Sequence, residues 1–255
     1  MITIKTEKEI RAMREGGKRL TEIMDKIAEH IVPNTDTLSL DKLAEELVLA
    51  FGGTPAFKGY KNGIGKPFPA TVCISINEEV VHGIPKENKI IHEGDIVSVD
   101  IGMKYQGLHT DMARAFSVGK ISSAAQKLIE VTEQSFWEGI QNLAVGKMLS
   151  DYSRVVQKYA EANGFSVVRN LVGHGVGRQL HEDPSVPNYY NRKYSDIRLI
   201  AGMTLALEPM INEGTSETVL GSDGWVFKTK DGKLSAHYEN TVLITEKGVE
   251  VLTIL

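Results

Sequence analysis

Cysteine is almost absent: Cys73 stands alone in 255 residues. A single thiol cannot close an internal disulfide, so nothing in the chain requires an oxidising compartment. There is no basic excess: 29 Lys and Arg face 33 Asp and Glu, a formal net charge of -4. That balance argues against a dedicated nucleic-acid binder, which would carry a basic face. No apolar run approaches the ~20 residues that cross a bilayer. The opening MITIKTEKEIRAMREGG is charged and amphipathic, without the apolar stretch and small-residue cleavage site of a secretory signal. The expectation is a cytoplasmic protein with neither a membrane nor a nucleic-acid partner. Low-complexity tracts and linkers are also lacking. A chain of this length can bury roughly 70–75% of its unfolded surface, so one domain over residues 1–255 is expected.

What is present is organised twice, over about 1–120 and 121–255. The first part opens with a helical pattern from about Glu7 to His30, in which Ile10, Met13, Leu20, Ile23, Met24 and Ile27 recur at helix spacing. A break at Val32-Pro33-Asn34 precedes a second helix, TLSLDKLAEELVLAFGG, with Ser39 as the expected N-cap and Gly52-Gly53 as its end. The second part repeats the plan with SSAAQKLIEVTEQSFWEGIQNL, capped by Ser122 or Ser123, and SDYSRVVQKYAEANG, ending at Gly164. GDIVSVDIGM matches GMTLALEPMI, which puts Asp100 and Glu208 at the same offset from Gly94 and Gly202. HTDMARAF matches HYENTVLIT and brings in Asp111 and Glu239; His82-Gly83-Ile84 matches His174-Gly175-Val176. Each half thus offers two acids on strands and a His-Gly turn. The implied fold class is α+β: a pseudo-twofold repeat of helix-helix-strand units, with curved antiparallel strands in the middle and helices on one face.

Acids inside apolar strands need a reason, because an unpaired buried charge costs several kcal/mol. One such acid could simply meet a Lys or Arg. For four at repeated positions the nearby candidates are few: Arg114 after Asp111, and Lys228 and Lys230 before Glu239. Oxygen-rich ligation with one imidazole suits Mn, Fe, Co or Zn, and two such ions ~3.5–4 Å apart make a hydrolytic centre. His174, between glycines, has room to approach a metal. His82 and His181 lie beside turns (HGIP, HEDPSVP), where they can hydrogen-bond a substrate. His109 and His237 precede acids by two residues and share a strand face with them, as supports or as packing. His30 and His92 sit in polar surroundings and are expected to face solvent.

The stretches VCISINEEVVHGIP, DIVSVDIGMKYQGLHTDMARAF, GHGVGRQLHEDPSVPNY, GMTLALEPM and DGWVFKTKDGKLSAHYENTV occur in this order. Through them the whole chain resembles the type I methionine aminopeptidases, which have the pita-bread metallopeptidase fold. The resemblance implies a dinuclear centre held by Asp100, Asp111, His174, Glu208 and Glu239. His82 and His181 would contact substrate and stabilise the transition state, and Glu208 would accept a proton from a metal-bridging hydroxide or water. A methionine pocket would be lined by Tyr60, Phe68, Cys73, Leu180 and Trp225, and a monovalent cation would sit near Asn77 and Ser235. The segment KNGIGKPFPAT is a few residues longer than the usual form, and Leu180 replaces an aromatic residue, which predicts a slightly wider pocket. Neither an N-terminal zinc-binding extension nor the C-terminal insertion of type II enzymes is seen. The family implies removal of methionine from nascent chains whose second residue is small, transient contact with the ribosome, and a monomer. The rivals are an X-Pro aminopeptidase or prolidase on the same fold, and a metal-free binding module.

Overall fold

The computed structural model describes residues 2–61, 66–141, 143–194 and 196–254. Helix α1 (Glu7–Ala28) starts at Thr6, whose hydroxyl accepts from the Glu9 backbone while the Glu9 carboxylate accepts from the Thr6 N–H, a reciprocal cap. Helix α2 (Thr37–Ala50) follows. Its N-cap is Asp36 rather than Ser39: the Asp36 carboxylate accepts from both the backbone N–H and the hydroxyl of Ser39. An acid three residues earlier satisfies the open first turn, which leaves Ser39 inside the helix.

The strands of this half are β1 (Thr54–Pro55), β2 (Val72–Ile76), β3 (Glu79–Val81), β4 (Ile96–Tyr105) and β5 (Leu108–Ser117). The second half supplies α3 (Ser123–Gln141) and α4 (Leu149–Ala162). Ser122 accepts from the Ala125 N–H at the start of α3, which settles its cap. Then come β6 (Ser166–Val167), β7 (Gly173–Gly175), β8 (Glu182–Val186), β9 (Thr204–Leu207) and β10 (Met210–Asn212). The chain ends with β11 (Thr218–Leu220), β12 (Phe227–Thr229), β13 (Ser235–His237), β14 (Glu239–Thr245) and β15 (Gly248–Val251).

The main sheet runs β1-β4-β5-β14-β9-β7-β8, with β2 also on β4 and β15 also on β14, and every pairing is antiparallel. Its centre is the β5–β14 seam. On one side β4 and β5 form a long hairpin; on the other β14 pairs with β9. The repeat inferred from sequence is visible here, and Gly94 and Gly202 take the same left-handed turn, φ 94° and 88°, before β4 and β9.

Strand periodicity sorts the side chains. Along β4, Val97, Val99, Ile101 and Met103 pack under Leu20, Ile23, Met24 and Ile27 of α1 and Leu40, Ala44 and Val48 of α2. The intervening Ser98, Asp100 and Gly102 therefore face the other way. In the second half Leu205, Leu207, Val242 and Ile244 pack with Phe136 of α3 and Tyr152 and Val156 of α4. Residues on both faces of these strands are buried, but only the face toward the helices is mainly apolar.

Arg114 fastens the seam. Its guanidinium donates to the carbonyls of Ala113 (2.8 Å), Glu239 (2.7 Å) and Thr253 (3.2 Å) and to Asn240 Oδ1 (2.8 Å), 4.4 Å over the Tyr238 ring. It thus binds the main chain beside the acids, not their carboxylates. Replacing Arg114 with Met should leave these acceptors short of donors and lower unfolding stability in urea by about 2–3 kcal/mol. Arg114→Lys should recover only part of the loss, because an ammonium cannot span the fork of acceptors.

Candidate active site

The β-sheet register collects the acids. Ala113 on β5 lies opposite Asp100 of β4 on one side and Glu239 of β14 on the other. Asp111, two residues from Ala113, shares its face. Glu208 follows the last residue of β9, and that residue, Leu207, pairs with Asn240. The expected placement of all four acids on strands is therefore corrected for Glu208, which sits before Pro209 at the break between β9 and β10. His174 likewise lies on β7, opposite Ala206, rather than in a turn. All five side chains line one cavity of about 380 Å³.

One ligand atom each from Asp111, His174 and Glu239 falls within 4.8 Å of the others. Asp100 Oδ1, Asp111 Oδ1 and Glu239 Oε1 are buried with no hydrogen-bond partner. Among the described residues no Lys or Arg forms an ion pair with any of the four carboxylates: Lys228 is engaged by Glu78 at 2.9 Å and Lys230 by Glu217 at 3.1 Å. Burial, with Asp111 and Glu208 nearby, pushes the Asp100 carboxyl well above the ordinary range. Burial raises Asp111 to about 7, and burial together with the neighbouring acids raises Glu208 and Glu239 strongly. Crowded carboxylates with orphaned oxygens and no cationic side chain fit divalent cations.

The histidines are neutral donors and acceptors. Burial lowers His82 and His174 to about 4, and lowers His181 and His237 to about 3. The Nδ1 of His174 lies 2.8 Å from the Gly175 carbonyl, which can only accept, so the proton is on Nδ1 and the Nε2 lone pair is open, 3.6 Å from Glu208 Oε1. Gly173 and Gly175 permit this placement, since a Cβ on either would collide with the carbonyls of Ala206 and Asp183. His82 is held left-handed, φ 60°, with its ring 6.3 Å from Trp225 and 6.0 Å from Phe227. The His181 ring lies tilted against those of His174 at 4.2 Å and Tyr60 at 4.9 Å.

Tyr60, Phe68, Cys73, Leu180 and Trp225 line the same cavity, with Phe68 edge-on to Trp225 at 5.2 Å. Residues 62–65 of the lengthened segment lie outside the described residues. His237, left between support and packing by the sequence, is buried with Nε2 3.7 Å from Glu208 and 3.9 Å from Glu239. His109 instead holds the Gly177 carbonyl at 3.0 Å through its ring, and His30 and His92 are exposed. The sequence reading missed Val81, Leu171, Met210 and Phe227 as cavity walls. Only Phe227 carried a signal, two residues beyond Trp225. Asn77 and Ser235 meet through a backbone bond of 2.9 Å, but their side chains turn elsewhere, Asn77 to Asp95 and Ser235 to Asn212.

The profile of metallopeptidase family M24 matches residues 11–246. A methionine aminopeptidase of Clostridium perfringens is 49% identical over 255 residues, spanning all of both chains. This chain belongs to the M24 metallopeptidases, among the methionine aminopeptidases. A solved methionine aminopeptidase from Thermotoga maritima superposes with a TM-score of 0.95 at 42% identity, each chain covered in full. A prolidase from Pyrococcus furiosus shares the fold at 21% identity and a TM-score of 0.79, with 99% of this chain matching 65% of that one. The architecture is thus the pita-bread fold of the M24 family, and the resemblance read from the motifs is confirmed at family level. No helix among the described residues is long and apolar enough to cross a membrane.

A metal-free M24 centre should carry a measurable strain. Carboxyls whose pKa is raised on folding stabilise the protein below their unfolded pKa and withdraw that stability as pH rises through the folded value, about 7 for Asp111. Chelated protein should therefore melt progressively lower from pH 6.5 to 8.5, Asp111 contributing up to about 7 and the more strongly raised Asp100, Glu208 and Glu239 beyond it, a window in which the buried histidines stay neutral. At pH 8, Asp111→Asn should raise the melting temperature in chelator. Mn at about 100 times its Kd should raise the wild type by roughly 5–10 °C and the variant far less.

Proposed function

We propose that this chain removes the N-terminal methionine from newly made polypeptides whose second residue is small. The observation that carries the reading is the joint placement of five metal-type ligands and an apolar, aromatic-walled pocket in one cavity, in a chain of this family. Asp100, Asp111, His174, Glu208 and Glu239 would hold two divalent ions of the Co, Mn, Fe or Zn group. Such ions, when bound, lower the pKa of a water and polarise a carbonyl. A monovalent ion at Asn77 and Ser235 belongs to the same reading.

The remaining chemistry is that of side chains. Phe68, Trp225 and Tyr60 present aromatic surface that suits a thioether, while Cys73 and Leu180 complete an unbranched slot. The neutral rings of His82 and His181 hold the substrate carbonyl and the tetrahedral oxyanion through N–H donation. The Glu208 carboxylate, ionised once cations offset its burial, takes the proton from the attacking water and returns it to the leaving amine. A small side chain at the second residue is what the family resemblance implies. One catalytic domain performs this, with the two halves contributing Asp100 and Asp111 on one side and His174, Glu208 and Glu239 on the other. The setting is cytoplasmic: a monomer meeting nascent chains, with transient contact at the ribosome and no nucleic-acid or membrane partner.

The two rivals predict different behaviour. A prolidase-like enzyme would cleave Ala-Pro, and a binding module would cleave nothing. Chelated enzyme should release no methionine from Met-Ala-Ser, and addition of Mn, Fe, Co or Zn should restore release, with Ala-Pro left intact. With metal bound, Glu208→Gln should lower kcat by about 10²–10⁴-fold. Full turnover by that variant would remove Glu208 from its role, and cleavage of Ala-Pro alone would install the prolidase reading.

A further inference from the structure

Among the described residues β11 is an edge strand of the small sheet β11-β12-β3. Strand β11 pairs with β12 at Thr218–Thr229, Val219–Lys228 and Leu220–Phe227. Two backbone bonds fix which of these are hydrogen-bonded pairs: Gly221 donates to Val226 at 2.7 Å, and Lys230 donates to Glu217 at 3.0 Å. Antiparallel ladders alternate. Gly221–Val226, Val219–Lys228 and Glu217–Lys230 are therefore the bonded pairs, and the N–H and C=O of Thr218 and Leu220 point away from β12. The donation of Thr229 to Glu78 on the β3 side at 2.8 Å shows the same alternation across β12. Among the described residues the outward backbone groups of Thr218 and Leu220 have no partner.

An open edge of this kind is ordinarily protected by Lys, Pro or a bulge. This one carries Val219 and Leu220, exposed by 44% and 54%. It is also continuous with the cavity. Leu220 lines the cavity, as does Leu171, whose neighbour Asn170 exchanges side-chain hydrogen bonds with Thr218 at 2.8 and 3.0 Å. The edge thus begins at the cavity wall, where a chain with its first residue in the pocket could reach it. Two backbone donors and two acceptors at a two-residue spacing await it.

We infer that the outer edge of β11 docks the substrate backbone beyond its second residue as an added antiparallel strand. The docked chain runs from Leu220 toward Thr218, and the edge serves any sequence because it reads main chain, not side chains. The exposed Val219 and Leu220 add apolar contact. This rests on the aminopeptidase reading above. It explains how an enzyme selecting only the first two residues can still gain affinity from polypeptides of unrelated sequence.

Substrate length tests it on the metal-loaded enzyme. Met-Ala-Ser should be compared with Met-Ala-Ser-Val-Thr, and the pentapeptide with versions N-methylated at the third, fourth or fifth residue. Two net backbone hydrogen bonds should raise kcat/KM of the pentapeptide about tenfold, through KM. N-methylation should abolish the gain at alternate positions only, since every second amide faces β11. Thr218→Pro removes one outward donor without touching a bond to β12, and should lower the pentapeptide-to-tripeptide ratio. Equal efficiency at both lengths, or equal tolerance of methylation at all three positions, would overturn the docking edge alone. Dimerisation that Thr218→Pro abolishes, without any length effect, would assign the edge to a second copy and overturn it as well. No methionine from any peptide would overturn the functional reading and the docking edge with it.

Discussion

Repulsion among four buried carboxylates organises this molecule. Asp100, Asp111, Glu208 and Glu239 converge where β5 meets β14, and no Lys or Arg among the described residues pairs with them. Burial alone makes each ionised group unfavourable, and each neighbour adds to that. The fold can sustain this only because the other face of the same strands is filled by apolar side chains from α1, α2, α3 and α4. The helices hold the strands in register, the register holds the acids, and Arg114 forms no ion pair with their carboxylates but ties the two strands at the seam, its charge offsetting only part of the rise in Glu239. A proton or a divalent cation relieves the arrangement without dismantling it, and a cation that did so would couple its own affinity to stability through the same residues.

The histidines follow from the same burial. An imidazolium beside divalent ions would repel them, and desolvation keeps His82, His174 and His181 neutral at physiological pH. For His174 the Gly175 carbonyl fixes the tautomer, so the open lone pair faces Glu208. His181 is braced by tilted ring contacts with His174 and Tyr60, and His82 by the aromatic pair Trp225 and Phe227. The apolar wall therefore does two tasks at once: it shapes the pocket and sets the protonation state of the groups that would bind substrate.

Much of this was legible in the chain because β-structure has a strict period of two. Once Gly94 and Gly202 were aligned, Asp100 and Glu208 had to fall at matching places, and Asp111 and Glu239 followed. Helices α1 to α4 were equally plain from apolar spacing. Local competition hid the rest. Asp36 outdid Ser39 as a cap because both types cap well and the choice turns on one backbone bend. Pro209 ended β9 at Leu207, which put Glu208 in the break rather than on the strand. Val81, Leu171 and Met210 could not be recognised as cavity walls, since residues from separate strands and loops meet only after folding, and an apolar residue there reads like any core residue.

The two halves are alike in plan but not in use, and the difference gives the site a direction. His82-Gly83 and His174-Gly175 occupy corresponding places, and each glycine lets a neighbouring carbonyl pass close. His174 is part of an extended strand, so its ring falls in line with Glu208 and the acids. His82 takes a left-handed conformation at the end of β3, which turns its ring toward Trp225 and Phe227 instead. The first half therefore contributes two short Asp side chains and a histidine turned to the aromatic wall. The second contributes two longer Glu side chains and a histidine beside the acids. A perfectly twofold site would offer a peptide two equivalent orientations. Divergence of one histidine pair, by a single backbone rotation, is sufficient to give the two ends of the cavity different chemistry, one aromatic and one acidic.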